Sequence, residues 1–131
     1  MGVPDILVNN AGALEPGFVV DADYDGWDKM IDVNIRSHLY VLGEFLPGMK
    51  ERGTGHVVNI TSDSEKEPFQ NLAVYCGTKH FWTGFSAALR WDTLGFIMIA
   101  QKHGIGATYL TVNADDLAGS ANSVQCQWNI T

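Results

Sequence analysis

Ile6-Leu7-Val8-Asn9-Asn10-Ala11-Gly12 is the stretch whose reading decides the fold. A continuous apolar run ending in small and amide residues predicts a parallel strand, buried on both faces, that stops at a tight turn. Downstream, Met30, Ile31, Ile35, Leu39, Leu42, Phe45 and Leu46 fall on one helical stripe. Asp23 and Asp25 are its candidate caps, and Pro47-Gly48 is expected to kink or end it. After the loop Lys50-Glu51-Arg52-Gly53-Thr54-Gly55, the β-branched run His56-Val57-Val58-Asn59-Ile60-Thr61-Ser62 predicts a second buried strand. Leu72 to Arg90 then reads as a helix apolar on more than one face, through Leu72, Val74, Phe81, Trp82, Phe85 and Leu89.

Strand, long helix, strand, long helix without repeats is the pattern of a parallel α/β sheet. Residues 1–92 carry this organisation, and 93–131 read as a divergent tail. Within the tail, Phe96 to Ala100 and Ala107 to Val112 are candidate strands, whereas Ala118 to Thr131 is patternless and expected to be partly disordered. A sheet of this extent should leave one edge of Ile6-Leu7-Val8 unpaired.

The 131 residues are 46% hydrophobic and carry a net charge of −7. That charge lacks the basic field that attracts phosphate backbones or anionic lipid, so neither nucleic acid nor membrane is an expected partner. The opening Met1-Gly2-Val3-Pro4-Asp5 has no positive n-region, and Phe96 to Ala100 is far too short to cross a bilayer. A cytoplasmic chain is the expectation. Cys76 reads as a small core residue, and with Cys126 it allows at most one bridge. His38, His56, His80 and His103 show no metal-ligand spacing, so no metal site is expected.

Tyr75 and Lys79 lie four apart on one helix face, so the ammonium can stand beside the phenol. An adjacent cation favours the ionised phenol and brings it toward the range of a general acid or base. The same pair also fits an ordinary surface contact. Ser62 closes the second strand at the carboxyl edge of the sheet, where parallel α/β proteins place ligands. It could equally cap a turn, and Thr61 or Ser64 could take its part. Asn34 sits in the apolar stripe of the first helix, where an unpartnered amide would cost about 1–3 kcal/mol. Either the backbone satisfies it or it holds a water for proton relay.

In this order, Asn-Asn-Ala-Gly, a helix asparagine, a strand-end serine thirteen positions before a tyrosine, and Tyr-x-x-x-Lys resemble the short-chain dehydrogenase/reductase superfamily. The resemblance covers about residues 5–92. It implies a Rossmann-like parallel sheet with flanking helices and a catalytic tetrad of Asn34, Ser62, Tyr75 and Lys79. Tyr75 would be the acid/base, Ser62 would orient the substrate oxygen, Lys79 would hold the nicotinamide ribose, and Asn34 would support a water relay. Asn9, Ala11 and Gly12, with Tyr75 and Lys79, would contact the cofactor, NAD or NADP, while Asn10 would brace the central strands.

The pattern also departs from the family's. The Thr-Gly-x-x-x-Gly-x-Gly turn that receives the pyrophosphate has no counterpart. Asn113-Ala114-Asp115 stands where the family follows its sixth strand with Pro-Gly. The expectation is therefore the C-terminal half of a reductase, N-terminally truncated. As an enzyme it would move hydride between NAD(P)(H) and a small-molecule carbonyl or secondary alcohol. The alternative is a non-catalytic fragment that oligomerises with full-length relatives. Either form is expected to associate, as a homo-oligomer or with such relatives, through the two long helices.

Overall fold

A computed structural model describes residues 2–93 in full and the backbone of Ile97–Lys102 and Ser123–Cys126. The strands are β1 (Ile6–Asn9), β2 (Gly55–Ile60), β3 (Ile97–Lys102) and β4 (Ser123–Cys126). They form one sheet in the order β3-β2-β1-β4, and every pairing is parallel. The expected α/β fold with a parallel sheet is present. β3 covers most of the candidate strand in 96–100 and runs past it, while Ala107 to Val112 lies outside the described residues.

β4 corrects two expectations. It is a strand inside the stretch read as patternless, and it pairs with β1 in the register Ile6↔Ser123 to Asn9↔Cys126. The edge of β1 expected to be open is therefore covered. The alternation of Ser123-Val124-Gln125-Cys126 is too short to stand out within a polar stretch, and the partner that orders it is more than a hundred residues away.

The first helical stretch is α1 (Tyr24–Ile31), one wide π-helical turn (Asp32–Arg36) and α2 (Ser37–Arg52). Asp23 caps it, accepting the Gly26 N–H at 3.1 Å. The helix continues through Pro47 and Gly48 rather than stopping there. Pro47 and Gly43 are both exposed, so the carbonyl that proline leaves without a helical donor lies on the solvent side of the helix. Gly48 allows close approach of the N-terminal segment, since a Cβ there would collide with a Val3 methyl. The stop is Gly53, in the left-handed region at φ 76°, whose N–H reaches the Met49 and Lys50 carbonyls.

α3 (Ala73–Asp92) is the second long helix. Leu7 of β1 and Val57 of β2 face Leu42 and Met49 of α2 and Trp82 and Leu89 of α3 in one core. Cys76 is buried and unbridged, as a core residue. No helix among the described residues is long and apolar enough to cross a membrane.

Candidate active site

Period-two alternation puts Asn9 on the same face of β1 as Leu7, and Asn59 on the same face of β2 as Val57. Asn9 donates to Asn59 Oδ1 at 2.8 Å, and Asn59 donates to Ser86 of α3 at 2.9 Å. These three side chains are buried and tie both strands to the helix. Asn9 thus supplies a brace between the two central strands, with its side chain buried between sheet and helices.

Past the strand, the segment Ala11-Gly12-Ala13 runs over the start of the paired helices. Asn34, with 0% exposure, holds it from below. Its Oδ1 accepts the Ala13 N–H at 2.7 Å, and its Nδ2 donates to the Ala13 carbonyl at 2.9 Å and to Thr78 Oγ1 at 2.9 Å. Of the two readings of Asn34, backbone bonding is the one its amide satisfies. The wide turn that carries it presents its main-chain carbonyl to the Trp82 indole, which donates at 2.7 Å. Trp82 read from sequence as an apolar residue; its polar N–H role had no periodic signal.

Gly12 is exposed, and a Cβ on it would lie 3.3 Å from Lys79 Nζ and 3.8 Å from Asn34 Oδ1. Lys79 is buried, with its ammonium 5.7 Å from the centroid of the half-buried Tyr75 ring. Burial pushes this ammonium below the usual lysine range, opposed by the Glu65 carboxylate. Glu65 sits in the short turn Asp63–Glu65, whose end is fastened to α3 by a 2.9 Å contact between the Glu65 carbonyl and His80 Nδ1.

Ser62 follows β2, and its hydroxyl caps that turn, accepting the Ser64 N–H at 3.2 Å and donating to Ser64 Oγ at 3.1 Å. The capping role weighed for it from sequence is thus present. His38, one turn beyond Asn34, is buried against the Trp82 ring. Burial and the nearby Lys79 charge lower it to about 4, against the pull of a bond to the Ala11 backbone.

Asn34, Tyr75, Lys79 and Gly12 therefore converge at the carboxyl end of β1, with Ser62 at the end of neighbouring β2. Residues 1–108 match the model of the short chain dehydrogenase family. The chain belongs to that family. Relatives include an uncharacterized oxidoreductase of Staphylococcus saprophyticus, 41% identical over 66% of this chain and 35% of its own length. An NADP-dependent 3-hydroxy acid dehydrogenase of Salmonella typhi is 43% identical over 70% of this chain and 37% of its own. Among solved structures, serine dehydrogenase from Escherichia coli superposes with a TM-score of 0.71 at 38% identity, covering 74% of this chain and 45% of that one. A closed serine dehydrogenase complexed with NADP+ gives 0.72 at 40%, over 76% and 41%. The chain thus spans less than half the length of these relatives, and its fold is the corresponding part of a Rossmann-like sheet.

Proposed function

We propose that this chain carries the catalytic half of an NAD(P)-dependent oxidoreductase acting on a small-molecule carbonyl or secondary alcohol. The observation that supports this most is the buried Lys79 ammonium held between the Tyr75 ring and Gly12. Such an ammonium, three donors on a point charge, suits ribose hydroxyls, and Gly12 leaves room for them because it has no Cβ. A bound nicotinamide dinucleotide would supply or accept hydride there. Tyr75 moves the proton on or off the substrate oxygen, Lys79 holds its ammonium beside the Tyr75 ring, and Ser62 orients that oxygen. Asn34 holds Ala11-Gly12-Ala13 in place as the wall of the site.

The pyrophosphate turn of the family has no counterpart in these 131 residues. The test therefore measures NADH and NADPH oxidation against a panel of aldehydes and ketones, with the chain alone and joined to a family half-domain bearing the glycine-rich turn. Turnover is expected in the joined form, with Tyr75→Phe lowering it by about 10² or more. Turnover undiminished by Tyr75→Phe would overturn the assignment. The chain alone is expected to be silent toward the panel, because the cofactor lacks its phosphate anchor.

A further inference from the structure

Tyr75 and Lys79 work only if their separation is held, and helix spacing alone does not hold them against the loop after β1. One connected path of hydrogen bonds does. Thr78, 3% exposed, accepts from Asn34 Nδ2 at 2.9 Å, and its hydroxyl then donates to the Tyr75 main-chain carbonyl at 2.7 Å. A hydroxyl with one proton and an acceptor lone pair can do both at once.

The carbonyl at the end of this path is also the one that Lys79 N–H meets in the α-helical ladder, four residues on. A threonine bonding back to such a carbonyl adjusts the local direction of the helix. The same Asn34 amide grips both backbone groups of Ala13, next to Gly12, whose vacant Cβ position borders Lys79 Nζ. One buried amide and one hydroxyl thus join the loop after β1, the π-helical turn and the first turn of α3.

We infer that Thr78 is a positioning residue, coupling Asn34 to the Tyr75 backbone and so setting the stance of the Tyr75 ring relative to Lys79. This deepens the proposed function, since that pair is its acid–base centre. Thr78 itself, adjacent to Lys79 in sequence, is distinguished by its two bonds and not by exposure to the cleft.

The test reads geometry directly, without turnover. In protein labelled with ¹³C-lysine, the Lys79 Hε resonances are assigned by Lys79→Arg, and their ring-current displacement is defined by comparison with Tyr75→Leu. Thr78→Val keeps the shape but removes the hydroxyl. It is expected to abolish most of the displacement, moving the resonances toward their Tyr75→Leu position, while Thr78→Ser keeps the wild-type value. If Thr78→Val loses its far-ultraviolet circular dichroism, Thr78→Ala is read in its place with the same expectation. Wild-type displacement in the folded hydroxyl-free variant, or equal loss in Thr78→Ser, would overturn the inference. A Tyr75→Phe enzyme that still turns over would instead defeat the proposed function and leave this result standing.

Discussion

His38 shows how far one residue's surroundings can outweigh its type. Its ring is 2% exposed, and burial holds it neutral down to about 4, whereas the unfolded chain takes up the proton near 6.5. Between those values the unfolded state binds more protons, so stability is full above about 6.5 and declines as pH falls toward 4. From pH 7 to 5 this residue alone should cost roughly 2 kcal/mol. Urea unfolding at both pH values is expected to show the loss, and His38→Gln to remove most of it. An unchanged pH dependence in that variant would contradict the assignment. Asn34 illustrates the same principle without charge: a polar side chain in an apolar stripe is tolerated because its amide is bonded on both sides.

Among the elements, the wide turn at Asp32–Arg36 matters most, because it joins α1 to α2 and presents the Asn34 carbonyl sideways. Trp82 Nε1 meets that carbonyl inside the core, where no water replaces it. Trp82→Phe keeps an aromatic ring beside Phe81 and Phe85 but withdraws the donor. The expected cost is about 1–3 kcal/mol in unfolding free energy, together with faster amide exchange across 32–37. A loss of stability without any change in exchange there would place the effect in side-chain volume instead of the hydrogen bond. Stability fully retained would show that the carbonyl needs no partner.

At the scale of the whole molecule, the parallel sheet is closed on the β1 side by β4, so β1 pairs on both edges. The helices are less completely covered. Tyr40 of α2 is 71% exposed and Trp91 of α3 is 80% exposed, while Phe81 and Phe85 are half-buried. Large apolar side chains exposed on long helices favour burial against another molecule. Self-association at micromolar concentration is the expected result in sedimentation velocity, weakened by Tyr40→Glu and Trp91→Glu together. A sharp monomer boundary would count against association through these helices.

Much of the architecture was legible in local patterning, because strands buried on both faces and amphipathic helices write their environment into successive residues. Ile6-Leu7-Val8, the run at His56 and the two helical stripes each announced an element, and motif order announced the family. The candidate tetrad was equally visible as residue types at fixed spacings. What only the tertiary structure decided is which groups meet. The bond of Asn9 to Asn59 spans 50 positions of sequence, and the service of Trp82 and Thr78 to Asn34 spans 48 and 44. The partner of β1 in the polar tail was hidden for the same reason. Hydrogen bonds between distant segments leave no periodic trace, since each depends on where folding delivers one donor and one acceptor.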